Sequence, residues 1–179
     1  MSTTCNLTAG RQEVCKESIG GLQGVYFINY STGSFTQDSD DLVTALPSGS
    51  TVYYYELKGT SAYTETVNSS RENGTTFYSQ ELTLNLKKLT NEMTTQLKLL
   101  AKGRPQIIVH TKNGESLIAG LAEGCDLTAG TIQTGAALGD LYGYSITMTG
   151  EEKNPASFIS GSTADDPFAG ITPPTIVPS

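Results

Sequence analysis

The chain has no tryptophan and a single histidine, His110. Its three cysteines, Cys5, Cys15 and Cys125, form no CxxC pair. That set excludes a zinc site of ordinary composition and a disulfide framework. Positive charge is scarce as well: 11 Lys and Arg stand against 18 Asp and Glu, a formal net charge of −7. A surface of that sign repels phosphate backbones, which argues against tight nucleic-acid binding and suits a surface past which DNA slides without sticking. No apolar run is long enough to span a membrane. The opening "MSTTCNLTAGRQEVCK" lacks the apolar core of a signal peptide, so the expectation is a protein made and left in a cytosol. There the Asn-x-Ser/Thr triplets at Asn6, Asn29, Asn68 and Asn73 have no meaning as sugar acceptors. A reducing cytosol also argues against a bridge between Cys5 and Cys15. Cys125, in "AEGCDLTAG", reads as a small apolar packing residue.

The patterns of catalysis are missing too. A Ser-His-Asp or Cys-His arrangement would have to use His110, which sits mid-strand in "IIVHT", where a packed side chain is the default. The run "DSDD", Asp38 to Asp41, lacks the spacing, central Gly and closing Glu of a calcium loop, and reads as a solvated loop. Glu151 and Glu152 are adjacent, so an extended chain points them to opposite faces. They read as solvated strand ends, not as a carboxylate pair flanking a substrate. "GAALGDLYG" does not lead from a strand into a helix, and no Lys-Ser/Thr pair follows it. It is a tight loop feeding a strand, not a phosphate cradle. The expectation is therefore a non-enzyme with no metal and no cofactor.

What is present is β-forming. The 179 residues suit one domain with a core plus tails, and 19 Gly, nine Tyr and many Thr and Ser fit strands and turns. Residues 1–20 read as an N-terminal arm. "GGLQGVYFINY" reads as a strand with both faces partly covered, Val25, Phe27 and Asn29 alternating with Tyr26, Ile28 and Tyr30. "STGSFTQDSDD" is a loop by composition, and "LVTAL" a short strand or helical turn ended by Pro47.

Ser50 to Leu89 reads as two long strands around the turn Glu72-Asn73-Gly74. The first carries Tyr53, Tyr55 and Leu57, bends at Gly59, and continues through Tyr63, Glu65 and Val67. The second carries Phe77, then Leu82, Leu84 and Leu86 alternating with Thr83, Asn85 and Lys87. Of Tyr53 to Tyr55, two fill a core and one faces outward, or the cluster serves subunit contacts. Near its turn the hairpin loses its apolar stripe. A hairpin that outruns its core is not stable alone, and a neighbouring subunit is the economical cover.

"TNEMTTQLKLLAKGRP" is a helix, with Thr90 or Asn91 as N-cap, an apolar stripe of Met93, Leu97, Leu100 and Ala101, Gly103 at its end and Pro105 as the stop. "QIIVHTKNGESLIAGL" is a second hairpin turning at Asn113-Gly114. "GCDLTAGTIQTGAALGD" is a Gly/Ala/Thr loop region. A last strand alternates Tyr142, Tyr144, Ile146 and Met148 with Gly143, Ser145, Thr147 and Thr149. Residues 160–179, "SGSTADDPFAGITPPTIVPS", read as a flexible C-terminal arm after a domain at 21–159.

This order of parts, with a hairpin turning at "ENG", the helix "TNEMTTQLKLLAKG", a hairpin at "TKNGES" and the strand in "GDLYGYSITMTGEEKNPASFI", resembles bacteriophage tail tube (major tail) proteins. "CKESIGGLQGVYFINY" and "GDLYGYSITMTGEEKNPA" look like virion proteins of phages of Bacteroidetes-type hosts. The resemblance spans roughly residues 20 to 160 and rests on element order. It implies a mainly β fold: a β-sandwich or partly closed barrel with one flanking α-helix and a long β-hairpin. It implies a structural virion protein that assembles with itself into stacked hexameric rings, the conduit for DNA ejection, with other tail or neck proteins as partners. The interface hairpin would then include Glu56, Lys58, Tyr63, Glu65, Arg71, Asn73, Gly74, Phe77, Tyr78 and Glu81. Glu56, Glu65, Glu72 and Glu81 are candidates for the lumen, while Lys58 and Arg71 suit acidic groups on a neighbour. The pattern leaves open which hairpin face looks inward. Two rivals stand beside this reading: a neck, terminator or decoration sandwich that binds protein or carbohydrate, and, weaker, a small β-rich hydrolase.

Overall fold

The computed structural model describes residues 7, 9–13, 15–31 and 35–178. The chain forms β1 (Leu22–Ile28), β2 (Thr36–Gln37), β3 (Val43–Ala45), β4 (Thr51–Glu56), β5 (Ala62–Ser70), β6 (Thr75–Lys87), α1 (Asn91–Leu100), β7 (Gln106–Thr111), β8 (Ser116–Ala119), β9 (Asp126–Gln133), β10 (Gly143–Glu152), β11 (Ser157–Phe158) and β12 (Thr175–Val177). Six strands make one sheet in the order β11-β8-β7-β1-β4-β12, and four make another in the order β5-β6-β10-β9. β2 and β3 pair as a small ribbon. Both large sheets are open. The mainly β architecture stands, with one helix among the described residues, and of the two expected alternatives, sandwich or partly closed barrel, neither sheet closes into a barrel.

The core between the sheets takes Val25, Phe27, Ile107 and Val109 from one side, and Leu82, Leu84, Tyr144, Ile146 and Met148 from the other. Each fully buried Leu, Ile or Val contributes roughly 1.5–3 kcal/mol. The alternation read in β10 holds from Gly143 on: Tyr144, Ile146 and Met148 are buried and Ser145, Thr147 and Thr149 half-buried on the other face, while Tyr142, expected with the first set, lies before the strand and is exposed.

The six-stranded sheet is covered twice. Its second face carries Tyr26, Ile28, Val52, Ile108 and Ile118, packed under Val43, Ile159, Phe168 and Ile171. Tyr26 lies 4.8 Å from Tyr54 and edge-on to Phe168 at 5.2 Å. Burial, then the Tyr54 and Asp166 charges, pushes the Tyr26 hydroxyl up to about 12. The C-terminal stretch is therefore no loose arm. Phe168 is 1% exposed, and β12 adds to β4 in parallel. Two isolated apolar residues among Pro and Gly make no period, yet they cover a sheet face as irregular chain.

Two further expectations change. The long strand from Tyr53 to Val67 is two strands in different sheets, β4 and β5. Its expected bend at Gly59 is the crossing point, with φ of +141° that a side chain would resist. And "DLTAGTIQ", read as loop, is β9, hydrogen-bonded along β10 with one extra residue between Ala129 and Leu127.

The helix begins as the sequence implies: the Thr90 hydroxyl accepts from the Met93 amide at 3.1 Å. Met93, Leu97 and Leu100 pack on the inter-sheet core, though no helical residue is fully buried. Tyr144 ties the helix to β10, its hydroxyl donating to the Thr90 carbonyl at 2.9 Å.

Candidate assembly interface

The hairpin β5–β6 pairs from Ala62↔Thr83 to Ser70↔Thr75, closing on a four-residue turn in which Gly74 has φ of +64°. β10 supports β6 only as far as Glu152↔Tyr78. Beyond that point the ribbon projects alone. No residue from Thr66 to Ser79 is buried, and Val67 is 60% exposed. The loss of the apolar stripe read in the sequence is real.

The two sheets end differently. The six-stranded sheet ends in strands of two and three residues, with Pro155 before β11 and Pro173, Pro174 and Pro178 around β12. Such edges resist pairing. The four-stranded sheet ends in β5, of nine residues, and β9, of eight, and neither contains Pro or Lys. Both present a long row of unpaired backbone groups, which a lone protein normally blunts. The outer face of this sheet is uncovered and short-chained: Thr64, Thr83, Thr147 and Thr149 with Ser145, Thr131 and Asn85, plus Glu81, Glu151 and Lys87.

The residues singled out in the sequence scatter around this edge. Arg71, Asn73 and Gly74 form the exposed turn, where the Asn73 amide donates to Ser70 Oγ at 3.2 Å. Phe77 and Glu81 lie on the outer face, Tyr78 half-buried on the inner one. Glu65 does not face the open side. Its carboxylate accepts from the Ala156 amide at 3.1 Å and from the Tyr63 hydroxyl at 3.1 Å, anchoring the hairpin base. Burial, then the Glu65 charge, raises the Tyr63 hydroxyl well above the ordinary tyrosine range. Glu56 and Lys58 are not on the hairpin at all. Glu56 ends β4, and the two pair at 3.0 Å in the open, an ion pair of little consequence for stability. β9, the second edge, was missed: with its side chains almost all exposed, it has no apolar stripe to betray it.

Elsewhere the polar groups are structural. The His110 ring is buried between Ser116 Oγ at 2.8 Å and the Ala164 carbonyl at 3.2 Å. A carbonyl only accepts, so Nε2 carries a proton toward Ala164. Glu152 is not solvated as expected. Its Oε1 accepts from the amides of Ala122 and Glu123 at 2.9 and 2.8 Å. Asp38 Oδ1 accepts from Asp40 and Leu42, folding "DSDD" into a turn. Cys125 is buried, its thiol pushed up to about 12 by burial and then by the Glu152 and Asp126 charges, and Cys15 is exposed. Cys5 lies outside the described residues.

The loop feeding β10 is held by Asp140, whose carboxylate accepts from Ala137 at 2.8 Å and Ala136 at 2.9 Å. Those bonds, Ala137 first, hold its pKa below the ordinary value. What those two bonds contribute to the loop is therefore fully present above the ordinary aspartate range and lost as pH falls through the depressed value. In an acid titration followed by NMR, the Ala136 and Ala137 amide signals should hold through the ordinary aspartate range and move only below it. Movement together with the exposed aspartates would show that the bonds are not made.

No protein-family model matches the chain, and no curated protein matches it. Among solved structures, a chain described as "Virion of native gene transfer agent (GTA) particle" is similar over 70% of this chain and 100% of that one, at 11% identity and a TM-score of 0.38. A likeness of that size is a distant, partial one and carries no argument about fold or function.

Proposed function

We propose that this chain is a structural virion protein whose copies join edge to edge into a ring, and whose rings stack into a phage tail tube that conducts DNA. The observation that carries the reading is the four-stranded sheet with two long, unblunted edges, beside a six-stranded sheet whose edges are blunted. In a ring, β5 of one copy lies beside β9 of the next, and most backbone groups on both edges find a partner. The apolar inner face is already covered by the six-stranded sheet, so the hydroxyl-rich outer face lines the channel. Threonines and serines with little charge there would let phosphates pass.

Width favours six copies over three. Six supply about 24 strands, which at ~4.8 Å spacing and ~40° tilt enclose a backbone circle ~48 Å across, or ~38 Å inside the side chains. Three copies leave ~14 Å, too narrow for a duplex about 20 Å wide. Negative-stain electron microscopy over a concentration series, with light scattering for mass, tests the reading. Rings or tubes with a hole wider than a duplex are expected. Persistent monomers at high concentration and in the presence of preformed tube ends would overturn it in favour of a neck, terminator or decoration role.

A further inference from the structure

Resting on that edge-to-edge reading, we infer that the contact has one register, in which Ile132 of a second copy lies opposite Tyr63 and seats in the groove beside β5. Within one copy, Tyr63 is level with Leu82, Met148 and Leu127 across the sheet. If copies met without stagger, β9 would overlap only the first few residues of β5. Sliding the neighbour so that Ile132 meets Tyr63 overlaps them from Ala62 opposite Gln133 to Asn68 opposite Asp126, the whole of β9 with most of β5.

Three further observations converge on that register. Ile132 aligns with Tyr144, four levels from Met148. A slide of four levels is ~13 Å along the strands over four strand spacings of ~19 Å, a tilt of ~35°, which lies in the range at which closed barrels form. Next, a groove of about 400 Å³ opens between the start of β5 and the six-stranded sheet, lined by Ile19, Leu22, Tyr63, Val109 and Leu117 among others. Ile132 shares the inner face with Tyr144 yet is 55% exposed, an apolar side chain on the inner face left more than half open in its own copy. The slide sets it at the level of that groove. Last, Arg71 stands three positions beyond Asn68, about 10 Å past the level of Asp126 of the second copy. Among the described residues Arg71 has no ion pair, and its charge is complementary.

Cross-linking tests the register in assembled rings. In full-length protein carrying Cys5→Ser and Cys15→Ser, the pair Thr64→Cys and Thr131→Cys should link copies into a ladder under mild oxidation. Thr66→Cys with Thr131→Cys, two residues out of register, should link at least tenfold more slowly. Ile132→Asp should raise the concentration needed for rings by tenfold or more, with the monomer's melting unchanged. Rings that link faster through Thr66 than through Thr64 would overturn the register while leaving the tube reading intact. Parent protein that forms no rings would sink both, and Ile132→Asp rings forming at the parent's concentration would sink the groove contact.

Discussion

Replacing residues 67–78 by a two-residue Asn-Gly turn between Thr66 and Ser79 should abolish ring formation and leave a folded monomer. Thr66 and Ser79 are directly paired, so a tight turn closes there without moving the rest of the strand. The deleted ribbon contains no buried residue: Tyr78, at its junction with β10, is half-buried, and Val67 and Phe77 are 60% and 39% exposed. Removing exposed ribbon should change the unfolding free energy by no more than about 1 kcal/mol. The effect on assembly should be large, because the ribbon carries Val67 and Asn68, the last two paired positions of the β5 edge, and Arg71. Urea denaturation and electron microscopy of the same preparation read both quantities. A trimmed chain that still forms normal rings would show the ribbon to be a passenger. One that fails to fold would show that the ribbon supports its own subunit.

Ending the chain at Asp165 should have the opposite signature, loss of the fold itself. The removed segment holds Phe168, Ile171 and β12, which cover Tyr26, Ile28, Val52, Ile108 and Ile118. Truncating a buried Phe alone costs about 3–5 kcal/mol, and a domain of this size is stable by only about 5–15 kcal/mol in all. The shortened chain should lose its near-ultraviolet circular dichroism and its cooperative melt. Phe168→Ala, a gentler change, should melt cooperatively with its urea midpoint lowered to match a loss of about 3–5 kcal/mol. A truncated chain that melts like the parent would mean that the segment does not contribute to the core in solution.

These two ends of the molecule also mark where the sequence could and could not be read. Strands with one buried face were legible, since burial imprints a period on them: Tyr144, Ile146 and Met148 against Ser145, Thr147 and Thr149. Turns were legible where a positive φ demands glycine, as at Gly74 and Gly114. β9 was not, because almost all of its side chains meet water and its strand state is imposed by hydrogen bonds to β10. The change of sheet at Gly59 was read only as a bend, since β4 and β5 are both strands and composition does not say which neighbour each will take. Phe168 and Ile171 were taken for arm residues because covering a sheet with irregular chain leaves no period. For the interface, the missing apolar stripe of the distal ribbon was visible in the sequence. The second edge was not, and an interface needs both.

The order β5-β6-β10-β9 has a consequence for how such a wall is counted. Each copy brings an even number of strands with alternating direction, so its first and last run opposite ways. Copies joined this way keep the up-down alternation across every seam, whatever their number. Ring size is then indifferent to strand polarity and follows from how sharply each sheet bends. The extra residue at Thr128, where β9 bulges against β10 and its hydroxyl meets Thr149 Oγ1 at 3.0 Å, is a built-in bend of that kind. In a tube made of these sheets, a change at Thr128 acts on the curvature of the wall and on the seam together, because the same bulge sets which residues of β9 face β5.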